Sequence, residues 1–152
     1  MSFMVKETLL ELYERDLRRL DDEVGQYLNE SELWIKRGTI ANSAGNLCLH
    51  ILGNLDHFIG AVLGNSGYVR DRESEFSATG VSRENLRAAI SATAATVSRT
   101  LKGLDDENFQ ITYPIEVFGG PMTTGFFLIH LATHLNYHLG QINYHRRLVS
   151  ET

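Results

Sequence analysis

Six histidines are the residues with the clearest chemical potential, and all of them fall in two stretches that carry almost no formal charge. His50 and His57 lie in the first, and His130, His134, His138 and His145 in the second. From Ile40 to Val69 the one formally charged residue is Asp56, and from Val117 to Tyr144 there is none. Residues four apart on a helix point the same way, so His134 and His138 can present two imidazoles to one ion. His50, on a second helix, can supply the third. Three neutral imidazoles leave a coordination position open for water or substrate, which separates a catalytic metal site from a closed structural one. The bland alternative is that each histidine is a core or interface residue hydrogen-bonded to a neighbour. Spacing alone does not choose among partners: His130 and His134 have the same separation as His134 and His138, and His57 lies about two turns from His50 on nearly the same face.

The remaining polar candidates read more plainly. His145 sits beside Arg146 and Arg147 at the end of its helix, where cations meet the negative pole of the helix dipole, so surface capping is its expected role. His57, next to Asp56, reads as a surface or interface residue. Cys48 is the only cysteine; it lies about 200° around a helix from His50 and is expected to be a small buried hydrophobe rather than a nucleophile. Asn54 and Gln141 are candidates to orient ligands or substrate from behind, with helix packing or plain exposure equally compatible. No acid stands out as a general base, and Glu116 is not assigned that role.

The elements that must position these residues are helices. Leu9, Tyr13, Leu17, Leu20, Val24 and Tyr27 recur at steps of three and four between Phe3 and Leu28, which makes an amphipathic first helix. A second is expected from about Ile40 to Leu63, ended by Gly64, Asn65, Ser66 and Gly67. A third runs from Arg83 to Lys102, with Ser82 as its cap, Val81 and Leu86 at staple positions and Gly103 as its terminator. Phe109, Ile111 and Tyr113 then alternate before Pro114, and Gly119, Gly120 and Pro121 follow, which predicts a short extended arm or small hairpin. The fourth helix is expected from about Thr124 to Leu148. This is an all-α, four-helix bundle in which the long Gly64–Gly80 linker permits a crossover, so that the second and third helices can be parallel. The helix order is left open.

With 152 residues, 43% of them hydrophobic, the chain suits one domain, 1–152, around one core. Its net charge of −5, with cations interleaved among acids, argues against a nucleic-acid groove. Four histidines and several amides in the last helix argue against a membrane span. Lys6, Glu7 and Glu11 close behind Met1 interrupt any secretion signal, and a lone cysteine makes no intrachain disulfide, so a cytoplasmic protein is expected. The first half of the last helix is apolar almost all round, through Phe126, Phe127, Leu128, Ile129 and Leu131, so a second copy is expected to cover it as a homodimer.

Two motifs resemble those of the DinB-like, or YfiT-like, superfamily of metal-dependent enzymes. Asn46-Leu47-Cys48-Leu49-His50-Ile51-Leu52-Gly53-Asn54-Leu55 resembles its first histidine motif. His134-Leu135-Asn136-Tyr137-His138-Leu139-Gly140-Gln141-Ile142 resembles its paired histidines followed by Gly-Gln, although Leu139 stands where the family usually has Arg. The resemblance selects His134 and His138 over His130. It implies a homodimeric four-helix bundle with a nickel or zinc site on His50, His134 and His138. It also implies activities such as thiol-cofactor-dependent transfer and isomerisation, the mycothiol-dependent maleylpyruvate isomerase being one example. The stretch from Gly67 to Phe76 resembles a feature of one family branch and reads as a salt-bridged crossover loop.

Three functions follow as expectations. The leading one is a divalent-metal enzyme acting on a small molecule, either a hydrolase or an S-transferase or isomerase using a low-molecular-weight thiol. The others are a non-catalytic metal-binding or dimeric stress-response scaffold, and a small-molecule binding module whose histidines meet no metal.

Overall fold

The structure, a computed structural model, describes residues 2–150. Four long helices form the body: α1 (Ser2–Gln26), α2 (Ala44–Leu55), α4 (Arg83–Lys102) and α6 (Thr124–Val149); α3 (Arg72–Ser77) and α5 (Asp106–Gln110) are short. No strand occurs among the described residues, so the fold is all-α, as the periodicity requires.

The starts of three helices are set by side-chain caps. Ser43, Ser82 and Thr123 each accept a hydrogen bond from the backbone N–H three residues on, supplying an acceptor that the first turn of a helix lacks. Ser43 therefore starts α2 at Ala44, four residues later than the apolar run suggests. Beyond Leu55 the chain keeps coiling but with a wider winding over Asp56–Ala61. There Val62 N–H bonds to the His57 carbonyl and Gly64 N–H to that of Ile59, each at 3.0 Å across five residues rather than four. The predicted second helix is thus two windings in series.

The cross-helix contacts give the direction of each helix. Lys6 donates to the Leu104 carbonyl and Arg87 pairs with Asp21, so α1 and α4 are antiparallel. Tyr13 donates to the Leu128 carbonyl while Tyr27 meets His145, so α1 and α6 are parallel. His50 faces His134 and Phe58 faces Phe127, which makes α2 antiparallel to α6. Asp56 accepts from Thr93, and Gly60 and Gly64 lie against Thr96 and Thr100, so α2 and its extension run parallel to α4. The crossover is therefore real. It carries α3, which packs on α2.

The core fills the space among the four long helices, and its largest fully buried side chains include Tyr13, Tyr27, Leu17, Leu20, Ile51 and Phe127. Nearly all of α2 is buried, as its lack of charge requires, because an unpaired charge there would face a large desolvation cost. The segment before α6 departs from the extended arm expected of it. Phe109 belongs to α5, whose Asp105–Asn108 capping box overrides the alternating pattern, and only an isolated bridge from Thr112 to Thr123 closes the loop. Tyr113 pins that loop by donating to the Phe58 carbonyl at 2.6 Å.

Candidate metal centre

Antiparallel packing of α2 on α6 brings His50 against the His134–His138 pair. His50 Nε2 lies 3.2 Å from His134 Nε2, which lies 3.0 Å from His138 Nε2. The three ligand atoms all fall within 4.8 Å of one another. Nitrogens at about 2.05 Å from a tetrahedral ion stand about 3.3 Å apart, so the spacing suits a single zinc-like cation. The rings stand nearly perpendicular, at 80°, 82° and 87°.

Two hydrogen bonds aim these nitrogens. His50 Nδ1–H donates to Glu75 Oε1 at 3.0 Å, and His138 Nδ1–H donates to Gln141 Oε1 at 2.7 Å. A carboxylate only accepts, so the His50 proton sits on Nδ1 and the lone pair on Nε2 faces the cluster centre. Gln141 does the same for His138, holding the orientation of that ring. Such partners fix the tautomer and raise the basicity of a metal-binding imidazole.

Glu75 was not recognisable from sequence. It reaches His50 because three other residues place it. Arg70 grips both carboxylate oxygens, at 2.8 and 2.9 Å. Asn46 donates to the Glu75 and Ala78 carbonyls at 3.0 and 2.8 Å, tying α3 to α2. Gly53 leaves the room, since any side chain there would overlap the Glu75 carboxylate. The Gly67–Phe76 stretch is therefore salt-bridged, as expected, but it also delivers a buried acid to the site. The available signal is a dense run of opposite charges that begins directly after the nearly uncharged Ile40–Val69 stretch.

Burial, followed by its neighbours His138 and His50, pushes the His134 imidazole down to about 4. Burial also lowers His50, against the opposing pull of Glu75. Both rings are thus neutral at pH 7, the form in which an imidazole nitrogen can bind a cation.

The other histidines are not part of the cluster. His130 lines a neighbouring cavity and stacks on Phe127, with ring centroids 6.0 Å apart. His57 does not share the face of His50; the wider winding turns it aside, and Phe58 takes the place facing the cavity. His145 corrects an expectation: it is buried, not a surface cap. Its Nε2–H donates to the Ile35 carbonyl and its Nδ1 accepts from the Tyr27 hydroxyl, both at 2.8 Å. Cys48 is fully buried and its thiol is pushed up to about 12, so it is no nucleophile at pH 7.

Two cavities flank the cluster. One of about 270 Å³ is lined by His50, His134, His130, Asn54, Arg70, Arg72 and the rings of Phe58, Phe118 and Phe127. The other, about 730 Å³, reaches His138 and Gln141 along Ile40, Leu47, Tyr137 and Tyr144. Asn54 lies one helical turn beyond His50, and its buried Oδ1 has no donor among the described residues.

A family model of the DinB superfamily matches residues 12–142. A crystal structure of a conserved protein from Enterococcus faecalis is 19% identical, with a TM-score of 0.77, covering 94% of this chain and 95% of that one. That likeness concerns the fold. No curated protein matches the sequence.

Proposed function

This chain belongs to the DinB superfamily, and from that membership we propose that it is an enzyme acting on a small molecule with a divalent ion, nickel or zinc, held by His50, His134 and His138. The observation that carries this reading is the convergence of three Nε2 atoms, two of them aimed by Glu75 and Gln141. An ion there supplies a Lewis acid that brings water or a low-molecular-weight thiol to near-neutral pKa, for hydrolysis or for thiol-dependent transfer or isomerisation. The chain's own residues do the rest. Glu75 and Gln141 hold the Nδ1 protons, and Arg70 balances and orients Glu75. Asn54 presents a buried side-chain acceptor in the cavity wall that has no donor among the described residues. Phe58, Phe118 and Phe127 give the cavity beside the cluster an apolar lining.

Elemental analysis of protein purified without a histidine tag tests the site, with one ion per chain expected. If the wild type holds no more metal than His134→Ala, the reading fails. A thiol-transfer and hydrolysis screen with and without chelator tests turnover; chelator-insensitive activity rules out metal catalysis.

A non-catalytic, metal-binding scaffold is favoured by one observation: no Asp or Glu side chain lines the 270 Å³ cavity. We further propose a homodimer through the outer face of α6, where Phe126, Ile129, Tyr137, Tyr144 and Leu148 are exposed in a stripe. Sedimentation equilibrium reads this directly, and a monomer at micromolar concentration refutes it. No helix among the described residues is long and apolar enough to cross a membrane.

A further inference from the structure

We propose that the smaller cavity is the substrate site, that it selects a small aromatic carboxylate, and that Arg72 binds the carboxylate; this rests on the metal reading above. The argument begins with charge. The cavity is lined by two guanidinium groups and three histidines, and by no acidic side chain. Arg70 is already neutralised, because it grips the two oxygens of Glu75, and its terminal nitrogen also lies 3.4 Å from His50 Nδ1. Arg72 is different. Its guanidinium carbon stands 5.2 Å over the Phe76 ring, and no carboxylate pairs with it among the described residues. Phe76 in turn lies 4.8 Å from the His50 ring, so this uncommitted cation stands at the edge of the histidine cluster.

The acids beside Arg72 in sequence do not cancel it. Asp71 is engaged with the N–H and hydroxyl of Ser74, and neither Asp71 nor Glu73 lines the cavity. A divalent ion on the imidazoles adds to the same positive field, which raises the local concentration of anions. A guanidinium fork matches the two oxygens of a carboxylate.

Shape supplies the rest of the selection. The Phe127 and His130 rings are nearly parallel, at 8°, and Phe118 meets both edge-on, which makes flat, apolar walls suited to an aromatic body. A volume of about 270 Å³ admits only a small ligand. The larger cavity lacks this combination, since its cation, Arg37, is engaged with the Leu148 carbonyl at 2.9 Å.

Benzoate and its neutral counterpart benzamide test the proposal on full-length protein loaded with zinc, with metal content measured separately and binding read by calorimetry. Benzoate is expected to bind at least ten times more tightly than benzamide. Arg72→Gln is expected to lose at least fivefold of the benzoate affinity while keeping one zinc per chain and the wild-type affinity for benzamide. A smaller loss in Arg72→Gln, or equal binding of the two ligands, overturns the proposal. Wild-type protein that fails to retain zinc overturns the metal reading instead, and the same comparison on zinc-free protein then still decides the role of Arg72.

Discussion

Helix α6 carries two histidine environments about three turns apart, a buried one at His145 and a half-buried one at His134, and they differ in how the ring nitrogens are met. At one end His145 has a partner of opposite character on each ring nitrogen: a hydroxyl that donates to Nδ1 and a carbonyl that accepts from Nε2. At the other, His134 meets the Nε2 atoms of two more imidazoles, at 3.2 and 3.0 Å. Burial lowers the pKa of both His145 and His134. Neither burial nor a lowered pKa therefore distinguishes a ligand from a core residue. The distinction lies in whether the ring nitrogens are satisfied within the protein or left pointing at one another.

The largest effect should come from the ligands themselves. Replacing His50, His134 or His138 by alanine is expected to lower metal affinity by more than about 100-fold, beyond what outer partners typically cost. Competition with a chromophoric chelator measures this, and His130→Ala serves as the control expected to bind normally. Stoichiometric metal in His50→Ala would show that another group is the third ligand. Next come the groups that aim the rings: Glu75→Gln and Gln141→Ala should each weaken metal binding by about 10- to 100-fold. Wild-type affinity in both would erase their role in the site.

At the other end the signature reverses. His145→Ala strands the Ile35 carbonyl and leaves the Tyr27 hydroxyl only its longer bond to the Ile142 carbonyl, so about 1–2 kcal/mol of stability should be lost in urea melts with metal stoichiometry unchanged. A loss of metal without a loss of stability would invert the comparison.

The smallest effect is in pH. His134, His50 and His145 are held below the ordinary imidazole value of 6.5, so the unfolded chain takes up protons first as the solution is acidified. In chelator-stripped protein, stability should be full above about pH 6.5 and fall as the pH drops toward 4. The His134 contribution is about 2 kcal/mol, since solvent reaches part of its ring. A flat stability profile over that range would contradict the burial described for these rings.

How much of this was readable in sequence depends on the distance over which each feature acts. The cap of α4 is set within one helical turn and reads from local residues, whereas spacing offers His130 with His134 as readily as His134 with His138, and only the family resemblance, through Gly140 and Gln141, favours the second pair. Glu75 reaches His50 across 25 residues, through a crossover whose path depends on Gly53 and Asn46, so no periodicity announces it. Arg146 and Arg147 point to an exposed helix end at His145, which is instead buried. Each residue along a helix turns by about 100°, however, and that rotation carries His145 inward to Tyr27 while Arg146 pairs with Glu23 on α1 and Arg147 faces out.

The loosened coil at Asp56–Ala61 decides which side chain the cavity meets beyond Asn54. Under ordinary coiling His57 would return to nearly the face of His50, about two turns along the axis and too far to share an ion with it. The wider winding turns a phenyl group to that wall instead, so the surface there is hydrocarbon that neither titrates nor coordinates a metal.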